Sequence, residues 1–239
     1  ASVSEVAAAL GLPRPSAHIL LSTLATAGYL RQARRRGRYR VDLRVLKVAR
    51  EVLARLPVRD RAASLLHELA QTTGLNAYLA VLSRGEAVTV DRVLAQPRPE
   101  ARADVGVANP AYASAMGKVL LAFLPAAERD EVLQRITFDR RGPNTLTSRT
   151  ALLAELERVR SAGIAVNNEE LAYGLRSVAV PVMAANGTAV AAVNLAAHRT
   201  MASLDDLVAR IGPLMQRTGA EISAQLGYRS ARPGAPSTR

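Results

Sequence analysis

Glu169 and Glu170, adjacent in "NNEELAYGLR", are the pair that general acid–base chemistry would ask for. The commoner use of such a pair is a cap or a salt bridge, here to Arg176. Nothing else in the chain completes an enzyme. No serine stands in a nucleophile-elbow setting. There are no cysteines, which excludes disulfides and thiolate metal sites. The histidines His18, His67 and His198 are scattered without metal-ligand spacing. "AMGK" lacks the flanking glycine and Ser/Thr that make a phosphate-cradling loop. The sequence therefore assigns no catalytic residue, no metal and no cofactor.

Arginine offers a different chemistry. The stretch "ATAGYLRQARRRGRYRVD", Ala25 to Asp42, holds Arg31, Arg34, Arg35, Arg36, Arg38 and Arg40. Guanidinium groups bind phosphate oxygens through paired N–H donors. The charge is also placed unevenly. Residues 1–56 contain eleven Arg/Lys against three Asp/Glu, and residues 57–228 contain eighteen against seventeen. A basic module attached to a nearly neutral body points to an anionic macromolecule as partner of the first module.

The elements around the arginines narrow that partner. In "SVSEVAAALGL" the spacing of Val3, Val6, Ala7 and Leu10 predicts a helix, capped by Ser2 or Ser4 and ended by Gly11. "LPRPS" turns the chain, with Pro15 suited to a first helical turn. Ala17, Leu20, Leu21 and Leu24 form a second helical stripe, ended by Gly28. This second helix opens with Arg14, Ser16 and His18, which places them where a recognition helix reads base edges. "YLRQ" and "RYRV" are short strands around "ARRRG", with Gly37 in the turn. A helix-turn-helix followed by an arginine-tipped hairpin is a winged helix, its wing resting Arg34, Arg35, Arg36 and Arg38 on phosphates. A winged helix ordinarily has a further helix ahead of this pair, and this sequence begins too late to contain it. Next comes an amphipathic helix in residues 43–56, with Leu43, Leu46, Ala49, Leu53 and Leu56 on one side and Pro57 after it. It reads as a connector that either contacts a second copy or packs on its own domain.

Beyond 57 the pattern is mixed. A helix ends at Gly74, and "LNAYLAVLS" and "AVTVDRVLA" form a hairpin over "RGE". "ARADVGV" reads as a third strand, and "ASAMGKVLLAFL" as an apolar helix from Ala113. Helices follow near 126–136 and 148–162, then strands "IAVNN", "RSVAVPVM" and "AVAAVNLAAH", the last two joined by "AANG". A final helix spans 203–226. This is an α+β domain with a mainly antiparallel sheet. Strand alternation puts Ala165 and Asn167 on one face, then Ser177, Ala179 and Pro181, then Val190, Ala192, Asn194 and Ala196. Opposite them stand bulky residues such as Val178, Val180, Val193 and Leu195. The bulky faces should lie under helices. The small, polar faces would either line a ligand cavity or face solvent or another subunit. The helix beginning at Ala113 would offer the N–H groups of Ser114, Ala115 and Met116 to a carboxylate.

No signal peptide is evident, and no uncharged apolar run approaches the roughly 18 residues of a membrane span. A cytoplasmic protein is expected, with no membrane partner.

"SVSEVAAALGLPRPSA", "LSTLATAGYL", "PAYASAMGKVLLAFLP", "TLTSRTALLAELERVRSAGIAVNNEELAYGLRSVAVPV" and "AAVNLA" together resemble the IclR family of bacterial transcriptional regulators over essentially the whole chain. The closest likeness is to the branch controlling protocatechuate, 4-hydroxybenzoate and β-ketoadipate catabolism. The resemblance implies a winged helix in 1–42, a linker helix in 43–57, a GAF/PAS-like effector domain in 58–228 and a flexible basic tail in 229–239. It implies dimers that pair through the DNA-binding half and often form dimers of dimers. The family's effector contacts fall on Ala115, Met116, Asn167, Ser177, Asn194 and Ala196. Four positions depart from the family's pattern. Ile19 stands where the recognition helix often has arginine, and Tyr112 where histidine is frequent. Asn167 replaces an acid, which favours an anionic ligand, and Ala196 brings no side-chain hydrogen bond.

The expectation is a regulator whose binding to double-stranded operator DNA responds to a small organic acid. Two rivals stand beside it: an enzyme acting on a small carboxylate through Glu169 and Glu170, and a non-specific architectural nucleic-acid-binding protein.

Overall fold

A computed structural model describes residues 1–33, 37–95 and 104–229. Arg34, Arg35 and Arg36 of the expected wing tip, nearly all of the basic tail, and the start of the expected third strand fall outside the described residues. The chain forms two compact units, Ala1–Leu56 and Pro57–Arg239.

The first unit begins with α1 (Val3–Leu10) and α2 (Arg14–Thr26). Ser2 caps α1 in a reciprocal box with Glu5, which fills two backbone N–H groups that a helix start leaves open. Ala17 and Leu21 are the buried residues of α2, so the face bearing Arg14, Ser16 and His18 is left exposed. A hairpin follows, β1 (Leu30–Gln32) against β2 (Tyr39–Val41), with Arg31 opposite Arg40. The last element is α3 (Val45–Ala54), none of whose residues is buried.

The second unit holds a six-stranded sheet ordered β5-β4-β3-β8-β7-β6, antiparallel at every pairing. Its strands are β3 (Asn76–Ser83), β4 (Glu86–Val93), β5 (Ala108–Pro110), β6 (Ala165–Asn168), β7 (Leu175–Met183) and β8 (Ala189–His198). Arg84 and Gly85 both take positive φ, 51° and 85°, as a two-residue hairpin between right-twisted strands requires. The third strand differs from expectation. Asp104–Val107 turns, and the pairing segment is Ala108–Pro110, whose Asn109 lies opposite Ala87.

Helices cover both faces. α4 (Pro57–Thr73) and α8 (Gly212–Gln225) lie on the bulky face, over Leu79, Val178, Val180, Val193 and Leu195. The Ser223 hydroxyl accepts the Met183 N–H at 2.8 Å, which ties α8 to β7. A wider π-type turn at Asp206–Ile211 leads into α8, so the final helix is not uniform as expected. α5 (Ala115–Ala122) and α7 (Arg149–Ala162) share an apolar core with the small face, packing on Ala165, Ala179 and Ala192. α6 (Ala126–Gln134) adds Leu133 to that core. The expected helix start at Ala113 is also corrected. Ala111–Ala113 forms a separate tight turn, Ser114 is extended, and α5 begins at Ala115. Gly117 permits this crossing, because a Cβ there would meet the Ala111 Cα at 2.2 Å.

Candidate functional site

Strand register brings the small, polar residues together. Asn76, Ala196, Ser177 and Asn167 lie side by side across β3, β8, β7 and β6. One row along lie Tyr78, Asn194, Ala179 and Ala165, and beyond them Ala80, Ala192 and Pro181. α5 covers the alanine-rich rows, while the row containing Ser177 and Asn167 stays uncovered and floors a cavity of about 320 Å³. That volume suits a small organic ligand.

The cavity wall at α5 is made by Ser114, Ala115 and Met116. The Ser114 hydroxyl accepts the Gly117 N–H at 3.1 Å, as an N-cap does. The first-turn N–H groups of Ala115 and Met116, which a helix leaves without intrahelical acceptors, lie at the positive end of the helix dipole. Asn194, 3% exposed, lines the same space, and its Oδ1 has no hydrogen-bond partner. A buried acceptor left unmatched costs free energy, so this one is open to a donor from a ligand or a water. Among the described residues no Lys, Arg, Asp or Glu lines the cavity. An anion there meets helix N–H groups and amides without facing a carboxylate.

A short loop covers one side. Leu171, Ala172 and Tyr173 line the cavity from it. Asn167 Oδ1 accepts the N–H groups of Glu170 at 2.8 Å and Leu171 at 3.4 Å, and Glu169 Oε2 accepts that of Gly174 at 2.9 Å. Lys118, 1% exposed, donates from Nζ to both Glu170 oxygens at 2.8 and 2.9 Å and to Glu155 at 2.9 Å. Burial pushes the Glu170 carboxyl above the ordinary carboxylate range, and the Lys118 ammonium offsets this only in part. The Arg199 guanidinium donates to the Tyr173 hydroxyl at 2.6 Å and sits 4.7 Å above its ring centroid.

Glu169 and Glu170 are thereby spent on structure. One caps the loop's end and stands 3.9 Å from Arg176; the other neutralises a buried lysine. Among the described residues no cluster of His, Cys, Asp or Glu could hold a metal ion.

The structure thus assembles Ser114, Ala115, Met116, Asn167, Ser177, Asn194 and Ala196 around one space. Sequence reasoning missed Asn76, Tyr78, His198 and the loop residues. Alternation in "LNAYLAVLS" would have placed Asn76 and Tyr78 on one face; the loop's place over the cavity left no periodic signal. In the first unit Arg14, Ser16 and His18 are exposed together on α2, beside Ile19, which is 64% exposed. Arg38 is engaged by Glu5 at 3.1 Å. Glu5 is held below the ordinary carboxylate range by its bond to the Ser2 backbone and by Arg38.

Comparison with known proteins agrees with both units. The family described as bacterial transcriptional regulator IclR C-terminal matches residues 50–224, and the IclR helix-turn-helix domain matches residues 1–34. The chain is 32% identical to the HTH-type transcriptional regulator XynR of Escherichia coli K12 over 95% of its own length and 89% of the relative's. The crystal structure of a transcriptional regulator from Rhodococcus sp. RHA1 superposes with a TM-score of 0.77 at 33% identity, covering 95% of this chain and 90% of that one. The inducer-binding domain of a PobR double mutant from Acinetobacter, in complex with 3-hydroxybenzoic acid, superposes with a TM-score of 0.64 at 30% identity. That match covers 70% of this chain and 98% of that one.

Proposed function

The chain belongs to the IclR family of bacterial transcriptional regulators, and on that premise we propose that the cavity of its second unit binds a small carboxylate that modulates operator binding. The protein is a ligand-responsive, DNA-binding transcriptional regulator and not an enzyme. No described helix is long and apolar enough to cross a membrane.

The single observation that carries the effector reading is the pairing of an unmatched Asn194 Oδ1 with the open start of α5 in one cavity. The carboxylate takes the N–H groups of Ala115 and Met116 beside Ser114. The body of the ligand lies over Ser177, Asn167 and Ala196, and a donor group on it reaches Asn194. An aromatic acid is the first class to test, since a PobR domain of similar fold is in complex with 3-hydroxybenzoic acid. Titration calorimetry with benzoate and its hydroxylated forms tests this directly. Micromolar binding supports the reading; no heat with any carboxylate defeats it.

Arg14, Ser16 and His18 read bases from α2, while Arg34, Arg35, Arg36 and Arg38 of the hairpin contact phosphates. For Arg38 this means exchanging Glu5 for a phosphate. The working unit is a homodimer or a dimer of dimers. Supporting it is α3, where Leu46 and Val52 are 62% and 58% exposed and no residue is buried. An apolar helix face that its own unit leaves bare fits a second copy of the chain.

A further inference from the structure

Resting on the reading of the hairpin arginines as phosphate contacts, we infer that Glu5 is an intramolecular competitor for DNA, which occupies Arg38 and so lowers the sequence-independent part of DNA affinity. Arg38 Nη2 donates to Glu5 Oε1 at 3.2 Å and to Oε2 at 3.1 Å. A phosphodiester would ask for the same donors, since it too presents anionic oxygens to a guanidinium. Among the described residues Glu5 is the one acid in ion-pair contact with an arginine of the hairpin. The Ala33 N–H donates to the Arg38 carbonyl at 2.7 Å, which carries the β1–β2 ladder toward the turn. Alternation then places Arg38 on one face with Arg40 and with Arg31 opposite it. The Arg38 and Glu5 side chains are 51% and 52% exposed, so DNA can reach the pair without unfolding anything.

An exposed ion pair ordinarily contributes little, because two flexible side chains must be ordered to form it. Here the ordering is done beforehand. Glu5 Oε2 accepts the Ser2 N–H at 3.0 Å, and the Glu5 N–H donates to the Ser2 hydroxyl at 3.2 Å, so the α1 cap holds the carboxylate in place. The Ala1 nitrogen donates to the Tyr39 carbonyl at 2.8 Å and the Tyr39 N–H to the Ala1 carbonyl at 2.7 Å. The start of α1 and the strand after Arg38 are thus one hydrogen-bonded piece, and the pair needs little further ordering. The bond to the Ser2 backbone and the Arg38 charge keep the Glu5 carboxyl below its ordinary range, so it remains an anion at neutral pH. A phosphate that takes Arg38 exchanges one anionic partner for another. It also leaves a bare carboxylate beside itself, and that repulsion opposes the contact.

Binding of the full chain to a mixed-sequence DNA duplex, titrated across a range of salt concentrations, tests this. Glu5→Gln keeps the reciprocal cap, which glutamine also makes, and removes the charge. It should bind the duplex at least about threefold more tightly than wild type, with a salt slope steeper by about 0.9, one further phosphate contact. The gain should disappear in an Arg38→Gln background, because the released guanidinium is what produces it. Glu51→Gln removes the same charge from α3, where no arginine is paired with it among the described residues, and should give less than half the gain. A purely structural Glu5 predicts the opposite sign, weaker binding in Glu5→Gln. Weaker or equal binding by Glu5→Gln, or a gain that persists without Arg38, overturns the inference while the hairpin stays a phosphate-binding element. If wild-type binding to the duplex does not depend on salt, the phosphate reading of the hairpin fails, and this inference fails with it.

Discussion

Asn167 Oδ1 accepts the Glu170 N–H at 2.8 Å, so a residue on the cavity floor also holds the first turn of the loop that covers the cavity. Floor and cover are one hydrogen-bonded piece. A ligand that draws on the Asn167 amide acts on the loop as well, through a contiguous link rather than at a distance.

Asn167→Ala should therefore do more than remove one ligand contact. It leaves the Glu170 and Leu171 N–H groups unmatched in a partly buried place, at a cost of about 1–3 kcal/mol. Hydrogen exchange should show residues 169–174 losing protection, with the strands unaffected. Protection that stays at the wild-type level would mean the loop is held by Glu169 and Lys118 alone.

The buried lysine gives a second prediction. Lys118→Met leaves Glu155 and Glu170 without their shared partner, and breaking such a buried pair costs about 3–5 kcal/mol at neutral pH. Glu170→Gln should reveal a pH dependence. Because the native carboxyl titrates above the ordinary range, the folded state takes up its proton at higher pH than the unfolded chain. Stability from this group is therefore gained as pH falls from the raised value to the ordinary one, and lost as pH rises through the same window. Denaturation of wild type and Glu170→Gln across that window should show a steeper acid-side gain in the wild type. Parallel curves would contradict the burial of this charge.

Much of this was legible in the sequence, for identifiable reasons. The strand faces followed from strict alternation in "RSVAVPVM" and "AVAAVNLAAH", where Ser177, Asn194 and Ala196 reappear on one face. The helix-turn-helix followed from apolar spacing and from glycines at its ends. The strand at Ala108–Pro110 was displaced because a three-residue edge strand carries too little pattern to place. The start of α5 was misjudged because the tight turn at Ala111–Ala113 has the same alanine-rich composition as the helix. Lys118 gave no sign of its role, since its partners Glu155 and Glu170 are distant in sequence and meet it only through α7 and the loop.

The exposed face of α3 yields a prediction about assembly. Replacing both Leu46 and Val52 by glutamate should reduce the sedimentation mass at micromolar concentration by half or more. Both side chains are already in solvent within their own unit, so the melting of a monomer should change little. An unchanged mass would place the subunit contact elsewhere.

DNA contacts separate by their effects. Neutralising Arg34, Arg35 and Arg36 should weaken binding to every duplex and reduce the salt slope by about 0.9 per lost phosphate contact. Replacing Arg14 or His18 by alanine should instead reduce discrimination between an operator selected from random DNA and unselected DNA. A uniform loss would argue against base reading from α2.

The most direct measurement of the central claim is calorimetry and operator gel shift on Asn194→Leu. The substitution keeps similar volume but removes the amide from the cavity wall. Effector affinity should fall at least tenfold, about 1.4 kcal/mol, while operator binding without effector stays near the wild-type level. Wild-type effector affinity in the variant would contradict the account, because the ligand would then bind outside this cavity.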